Sequence, residues 1–193
     1  MTDDAATGQE PRNPWLAEAE RVDQAVYRAV ADTPTPHLDV AMRRLSTAAN
    51  YSRLSMAAAA LLAATGGARG RRAARSGLTA VAATSAVVNL AVKPLGRRRR
   101  PERSEEATAS ERAVRMPSSR SFPSGHTAAA VAFASAVSRV EPAAGASLHV
   151  LAALVGYSRV HTGVHYPGDV VAGALIGAII AGLTARPKDP RKD

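Results

Sequence analysis

Three polar side chains stand at fixed spacing between two apolar stretches near the C-terminal end of the chain: Arg159, His165 and Asp169. Arginine binds phosphoryl oxygens through two parallel N–H groups, and a neutral histidine can act as a nucleophile whose tautomer a carboxylate fixes. Pro167 favours the first turn of a helix, so the carboxylate of Asp169 can reach back to His165. The segment indicates chemistry on a phosphate. The alternative is a polar loop in which Asp169 only complements a helix dipole.

A second pattern, Phe122-Pro-Ser-Gly-His126, stands directly before an apolar stretch. Ser124 is a candidate N-cap, and Gly125 lets the backbone approach a ligand closely. The N–H groups of Gly125 and His126 would then form an anion site at a helix N-terminus, with His126 over the bound anion. The alternative is an ordinary capped helix start with an incidental histidine.

A third pattern joins Lys93, at the end of an apolar stretch, to Arg100, which precedes a proline. A lysine point charge and an arginine fork suit a phosphoryl group, but an arginine run after an apolar helix is also typical of a membrane-flanking patch. We interpret Arg97, Arg98 and Arg99 as surface charge or lipid-headgroup contacts. A nucleic-acid interface is disfavoured, because no DNA-binding motif or aromatic interleaving accompanies the run.

Five later segments lack Asp, Glu, Lys and Arg, in a chain of 193 residues with a net charge of +9 and no cysteine. They are Leu54 to Ala68, Ser76 to Val92, Thr127 to Ser138, Pro142 to Ser158 and Val170 to Ala185. Each is shorter than the ~20 residues that cross a bilayer core, but flanking arginines can snorkel. A soluble all-α core is the alternative. The number of such segments favours an all-α, integral-membrane bundle of about five transmembrane helices.

The N-terminal part is amphipathic rather than apolar. Pro14 to Ala31 has apolar residues at helical spacing and predicts a helix that lies at a membrane interface or caps the bundle. A second amphipathic stretch runs from His37 to Ala49. We expect residues 1–13 to be a disordered tail, residues 14–186 one domain, and residues 187–193 a basic tail.

Taken together, the three patterns read Lys-x6-Arg-Pro, Pro-Ser-Gly-His and Ser-Arg-x5-His-x3-Asp, in this order. This arrangement resembles the type 2 phosphatidic acid phosphatase (PAP2) superfamily, and the helix pattern resembles its membrane lipid phosphatase branch. The N-terminal stretch resembles the phosphatase part of actinobacterial proteins in which this domain is fused to a diacylglycerol kinase.

The resemblance implies roles for the catalytic residues. His165 would attack phosphorus and form a phosphohistidine, Asp169 would orient His165, and His126 would protonate the leaving alcohol. Since the two histidines need opposite protonation states, a bell-shaped pH profile is expected.

The resemblance also implies a set of phosphate-binding residues. Lys93, Arg100 and Arg159 would neutralise the phosphoryl oxygens, and the backbone near Ser124 and Gly125, with the Ser124 hydroxyl, would donate hydrogen bonds. We expect no metal and no cofactor.

The expected function is a multi-pass cell-membrane phosphatase that acts on a lipid phosphate, most simply phosphatidic acid. Its partners would be membrane lipids and not nucleic acid. Alternatives are a polyprenyl (di)phosphate or phosphatidylglycerol phosphate phosphatase, a soluble acid phosphatase or haloperoxidase relative, and a non-enzymatic basic membrane protein that binds anionic lipid.

The expected orientation puts the active site on the extracytoplasmic face. A basic loop, Arg69 to Arg75, would then be cytoplasmic, as the positive-inside rule favours, although Lys93 to Arg120 carries more positive charge. His161 is interpreted as a helix-end residue, and His149 as a residue that packs within the bundle.

Overall fold

A computed structural model of the chain describes residues 13–96, 98–103 and 112–185, and these residues form seven helices and no strand. The helices are α1 (Pro14–Asp32), α2 (Pro36–Ala48), α3 (Arg53–Thr65), α4 (Gly67–Leu95), α5 (Gly125–Ser138), α6 (Pro142–His161) and α7 (Pro167–Thr184). The two predicted tails, apart from Asn13, and Arg97 lie outside the described residues. The all-α prediction is confirmed, and the single domain over residues 14–186 stays a prediction.

Helix α5 lies at the centre of the bundle and packs against α4, α6 and α7. Its contact with α7 is backbone on backbone: a Cβ atom added at Gly177 would lie 2.2 Å from the carbonyl oxygen of Ala128, and one added at Gly173 would lie 2.4 Å from that of Ser124. Small residues at this spacing let membrane helices approach closely, as the sequence predicted. The approach brings the first turn of α7 beside the first turn of α5.

The arginine-rich residues predicted as a loop are helical. Helix α4 begins at Gly67, whose φ of 56° reverses the chain immediately after α3. A Cβ atom added at Gly70 would lie 2.1 Å from the carbonyl oxygen of Leu62, so the two helices touch from their first turn. The prediction of a loop was wrong because arginine is itself a good helix former and the turn needs only Gly66 and Gly67.

Four of the five predicted apolar segments lie essentially within one helix each, and the first, Leu54 to Ala68, is divided at Gly66 between α3 and α4. Three helices, α4, α6 and α7, are long and apolar enough to cross a membrane by length and composition. Helices α3 and α5 have 13 and 14 residues, which at ~1.5 Å per residue is roughly 20 Å. The outer face of α7 exposes a stripe of large apolar side chains at every fourth position: Val171, Leu175, Ile179 and Leu183. Such a stripe suits contact with lipid.

Helix α1 has features of both predicted placements, a cap on the bundle and a helix at a membrane interface. One edge carries the partly buried Asp23 and the buried Tyr27, and the helix packs against α6 and α7. The helix also exposes large apolar side chains: Trp15, Val22 and Val26 share a neighbouring face, and Leu16 is exposed near the N-terminal end. The helix therefore caps one end of the bundle with a polar edge and leaves an apolar face of the kind that lies in a membrane interface.

Candidate active site

The predicted site residues converge at one end of the bundle because they stand at helix ends that meet there. Lys93 lies in the last turn of α4, just after a π-helical turn (Val87–Val92). His126 lies in the first turn of α5, Arg159 in the last turn of α6, and Asp169 in the first turn of α7. His165 belongs to the short connection between α6 and α7. Apolar helices thus supply rigid supports, and their polar ends supply the chemistry.

His165 and Asp169 form the pair that the spacing predicted. The Nδ1 atom of His165 lies 3.4 Å from Oδ2 of Asp169, and both side chains are buried. The same Oδ2 accepts hydrogen bonds from the backbone N–H of Tyr166 at 3.0 Å and from the Ser121 hydroxyl at 2.5 Å. A carboxylate beside Nδ1 favours the tautomer with the proton on Nδ1. The Nε2 atom of His165 then carries the lone pair, as its predicted role as nucleophile requires.

Arg100 stands directly in front of that lone pair. Its Nη1 atom lies 3.3 Å from Nε2 of His165 and donates to the carbonyl oxygen of Val164 at 2.6 Å. Its Nη2 donates to the hydroxyl of Ser119 at 3.2 Å, and Nζ of Lys93 reaches the same hydroxyl at 3.3 Å. Two cations therefore converge beside the nucleophile. Ser119 gave no signal in the sequence, because a serine in a polar connection has no distinctive spacing.

Arg159 is the most enclosed of the three predicted phosphate ligands, with 2% of its surface exposed. Its Nη1 donates to the hydroxyl of Ser46 at 2.6 Å and to the carbonyl oxygen of Ser46 at 3.0 Å. Its buried Nε finds no hydrogen-bond partner among the described residues. Buried donors are nearly always paired, so this N–H is a group that a bound phosphate can satisfy. Helix α2, through Ser46, sets the direction of the side chain.

The start of α5 is built as the sequence predicted. Ser124 is the N-cap, and its oxygen accepts from the backbone N–H of Thr127 at 3.5 Å and lies 2.9 Å from the Thr127 hydroxyl. A Cβ atom added at Gly125 would lie 3.7 Å from Nζ of Lys93, so the helix begins beside that cation. Ser124 is fully buried in the cap. A contact of its hydroxyl with phosphate stays a prediction, as do the roles of the other site residues.

His126 is held by a turn that sequence reasoning missed. Its Nε2 lies 3.0 Å from the side-chain oxygen of Asn50. Asn50 begins the short 3-10 turn between α2 and α3 (Asn50–Ser52), in which Tyr51 and Ser52 have φ values of 56° and 55°. Two consecutive non-glycine residues in the left-handed region are costly, and such strain clusters at functional sites. No sequence signal predicts it, because Asn-Tyr-Ser is an unremarkable tripeptide.

A cleft of about 180 Å³ opens beside these residues. Lys93 and His126 line it. The rest of the lining mixes apolar side chains, such as Leu54, with polar ones, such as Asn89. His165 is not among the lining residues, so the cleft opens next to Lys93 rather than onto the imidazole itself. A cleft that combines cationic and apolar groups suits a ligand with a phosphate and an apolar part.

Burial keeps His165 neutral. Removal from water lowers the pKa of His165 to about 4; the contact with Asp169 opposes this shift, and the positive charges of Arg100 and Arg159 add to it. A neutral imidazole retains the lone pair that attack on phosphorus requires. A neutral His165 in this position suits nucleophilic chemistry at neutral pH.

Neighbouring arginines in the run before Pro101 have different environments. Arg98 is partly buried and donates from Nη1 to Oδ1 of Asp169 at 3.0 Å and from Nη2 to Oδ2 of Asp23 at 2.5 Å. Its interpretation as surface charge was wrong, because the chain folds this arginine back onto two carboxylates. Arg99 is exposed, as predicted.

Two further histidines lie outside the cleft. His161 ends α6 as predicted, and its Nε2 lies 2.9 Å from the side chain of Asp39 in α2. His149, predicted to pack within the bundle, is exposed and links α6 to α5, with Nε2 at 3.2 Å from the Ser135 hydroxyl. Both histidines therefore make contacts between helices.

Comparison with known proteins extends these observations. The sequence profile of the PAP2 superfamily matches residues 73–192. A segment of 65 residues is 42% identical to the lipid A 1-phosphatase of Rhizobium johnstonii, covering 34% of this chain and 27% of that protein. A segment of 61 residues is 44% identical to the bacitracin transport permease protein BcrC of Bacillus licheniformis, covering 32% and 30%. The matched segments thus span less than a third of these relatives' lengths.

Two solved structures share the fold. The structure of a transmembrane PAP2-type phosphatidylglycerolphosphate phosphatase from Bacillus subtilis matches this chain with a TM-score of 0.66 at 23% identity, over 90% of this chain and 86% of that one. Aquifex aeolicus LpxE has a TM-score of 0.64 at 27% identity, over 84% and 94%. The fold likeness extends beyond the motifs and includes most of the helices described above.

The pKa of His165 gives a testable pH dependence. Protonation of His165 removes the proposed nucleophile, so we expect the acidic limb of the kcat/KM profile for phosphate release to lie at about pH 4. Arg100→Gln removes a positive charge that holds this pKa down, so the acidic limb should move to higher pH, whereas Arg99→Gln should leave it in place. Comparison between variants cancels the ionisation of the substrate itself. An acidic limb identical in all three proteins would contradict the assignment.

Proposed function

Because the chain belongs to the PAP2 superfamily, we propose that it is a membrane lipid phosphate phosphatase that works through a phosphohistidine at His165. The observation that carries this proposal is the arrangement around one imidazole. The Nδ1 of His165 faces the buried Asp169, and its Nε2 faces the guanidinium of Arg100. A histidine held in this way can only direct its lone pair toward the site where the cations converge.

In the first step, Nε2 of His165 attacks phosphorus and the P–O bond to the lipid breaks. The leaving alkoxide takes a proton from His126, which lines the cleft beside Lys93. Burial and the neighbouring cations, first among them Arg159, lower the pKa of His126 to about 3, and the negative charge of the substrate phosphate acts against this shift. The positive charge that develops on the His165 ring is stabilised by the carboxylate of Asp169. The products of this step are the lipid alcohol and an N-phosphorylated His165.

In the second step, a water molecule attacks the phosphorus of the phosphohistidine. His126, now neutral, takes a proton from that water, the P–N bond breaks, and His165 is restored with inorganic phosphate released. Lys93, Arg100 and Arg159 stabilise the phosphoryl oxygens in both steps, since phosphoryl transfer depends mainly on positioning and charge. The chain's own side chains account for each proton, and metal independence stays part of the proposal.

Phosphatidic acid is the substrate that we propose first. The cleft of about 180 Å³ is lined by Lys93 and His126 together with apolar and polar side chains, so it can accept a phosphate and the adjoining part of an apolar chain. Phosphatidic acid is the simplest diacylglycerol lipid that carries a phosphomonoester. Phosphatidylglycerol phosphate and polyprenyl (di)phosphates are phosphate-bearing lipids of the same chemical class, so they belong in the substrate panel.

We propose that the site end of the bundle faces the extracytoplasmic side of the cell membrane. Exposed arginines at the start of α4 (Arg71, Arg72 and Arg75) lie at the other end, as the positive-inside rule requires. Residues 93–120 carry more positive charge than the start of α4. This charge is consistent with the proposed orientation because several of these arginines form hydrogen bonds or ion pairs within the protein. Arg103 donates to the carbonyl oxygens of Gly163 and Val114, and Arg112 pairs with Asp39.

A substrate panel with a nucleophile variant tests the activity. In detergent micelles, the wild-type protein should release phosphate from phosphatidic acid faster than from lysophosphatidic acid, phosphatidylglycerol phosphate or polyprenyl diphosphate. His165→Ala should lower kcat by about a thousandfold or more, because it removes the nucleophile itself. His37→Ala, which changes an exposed histidine on α2, is the matched control and should retain full activity.

Three outcomes of that experiment would redirect the proposal. Equal release with and without His165 would overturn the mechanism. Lipid binding without turnover by the wild-type protein would favour a non-enzymatic role. Faster turnover of another lipid in the panel would replace phosphatidic acid as the substrate.

Orientation can be tested with single cysteines, since the natural chain contains none. Met116→Cys places a thiol in the polar connection at the site end, and Arg72→Cys places one at the opposite end of the bundle. We expect a membrane-impermeant maleimide to label the first variant in intact cells and the second only after permeabilisation. The reverse pattern would place the active site on the cytoplasmic side.

A further inference from the structure

We propose that Arg98 and Asp23 are positioning residues for the reaction: Arg98 sets the carboxylate of Asp169, and Asp23 sets Arg98. This inference rests on the proposed phosphatase function, but neither residue is a signature position of the motifs that indicated that function. Arg98 lies 71 positions from Asp169 in the chain and 75 from Asp23. The fold alone brings the three side chains into one row behind the nucleophile.

The two oxygens of Asp169 have different partners. Oδ1 accepts from Nη1 of Arg98 at 3.0 Å. Oδ2 accepts from the Ser121 hydroxyl and the backbone N–H of Tyr166 and faces Nδ1 of His165. The bond from Arg98 therefore fixes the rotation of the carboxylate about its Cβ–Cγ bond. This rotation decides whether Oδ2 points at the imidazole.

Arg98 also compensates the charge of Asp169. The Asp169 side chain is fully buried, and a buried carboxylate is costly unless a cation or several donors compensate it. Arg98 is placed to do this without contacting substrate phosphate, because its two terminal nitrogens are taken by two carboxylates. It differs in this respect from Arg100, which faces the nucleophile.

Asp23 holds the other side of the guanidinium. Its Oδ2 accepts from Nη2 of Arg98 at 2.5 Å, and its Oδ1 accepts from the backbone N–H of Gly168 at 2.6 Å. The second bond satisfies a free N–H in the first turn of α7, so Asp23 caps that helix from a different part of the chain. A Cβ atom at position 168 would lie 3.0 Å from Oδ2 of Asp23, so glycine permits this close approach.

Two aromatic rings restrain the row from the side. The guanidinium carbon of Arg98 lies 4.2 Å from the centre of the Tyr166 ring, which suits a cation–π contact. Tyr27 packs edge-on against Tyr166, with ring centres 5.4 Å apart. Asp23 and Tyr27 lie one turn apart on the inner edge of α1. The polar edge of this amphipathic helix thus supports the pair His165–Asp169.

A double-mutant cycle tests the row. In the full-length protein, Asp23→Asn should lower kcat by about tenfold, as loss of a supporting contact typically does. Arg98→Gln should lower kcat by about a hundredfold, because it misplaces the carboxylate behind the nucleophile. Since Asp23 acts through Arg98, Asp23→Asn should cost less than about threefold when Arg98 is already glutamine. Arg98→Lys should not restore activity, because a single ammonium cannot form the two-pronged contact.

The same variants should leave substrate binding intact. KM and the inhibition constant of inorganic phosphate should stay within about twofold of wild type, because phosphate contacts Lys93, Arg100 and Arg159 instead. Glu18→Gln on the exposed face of α1 and Arg99→Gln in the same arginine run are the matched controls. Both should behave like wild type.

Full activity of Arg98→Gln or of Asp23→Asn would overturn the inference. So would a double variant in which the two effects on kcat multiply, because the residues would then act independently. Weaker inhibition of Arg98→Gln by inorganic phosphate would make Arg98 a phosphate ligand instead. Should Arg98→Gln fail to fold, Arg98→Lys and Asp23→Asn carry the same test. A wild-type protein without phosphatase activity would refute the proposed function instead. In that case, a double-mutant cycle on the thermal unfolding temperature would still test the contact between Asp23 and Arg98.

Discussion

Asp169 places a carboxylate where water does not reach it, and much of the surrounding structure compensates that burial. The N-cap residue of α7, Tyr166, supplies one backbone N–H, the segment before α5 supplies the Ser121 hydroxyl, and the connection after α4 supplies Arg98. Each donor comes from a different part of the chain, so the carboxylate is satisfied only when the helix ends have assembled. With these hydrogen bonds formed, the carboxylate directs Oδ2 toward Nδ1 of His165. The orientation of His165 therefore depends on how several helix ends pack together.

The bundle meets this requirement by separating two kinds of surface along each helix. Glycine and alanine let α5 and α7 touch backbone to backbone, so their first turns lie side by side and the cap at Ser124 meets the carbonyl oxygen of Asp169. Larger apolar side chains face outward, where lipid replaces the protein core as solvent. At the site end, the charges of Arg100 and Arg159 lie close enough to His165, the proposed nucleophile, to lower its pKa together with burial. The nearby cleft has both cationic and apolar side chains in its lining and so suits a substrate that is itself divided into phosphate and tail.

The sequence predicted those residues whose chemistry and spacing are local. The pair His165 and Asp169 follows from four positions across a helix start, and Ser124 follows from the type of residue that caps helices. The supports of these residues were not predictable in the same way. Arg98 is one of four consecutive arginines of identical type, and only the fold distinguishes it from Arg99. Ser46, Asn50 and Asp23 lie in helices or turns far from the motifs, and their contacts depend on how α1 and α2 pack across the end of the bundle. The start of α4 was missed because a turn of two glycines leaves no loop to detect.

The central claim is that His165 carries the phosphoryl group between substrate and water. It is tested most directly by quenching the wild-type enzyme in alkali during turnover of phosphatidic acid and locating the bound phosphate by peptide mass spectrometry, since phosphohistidine survives base. We expect the phosphoryl group on His165, in a yield that falls as substrate is consumed, and no labelled peptide in His165→Ala. A phosphoryl group on another residue, or turnover with no labelled protein at any time, would contradict the mechanism.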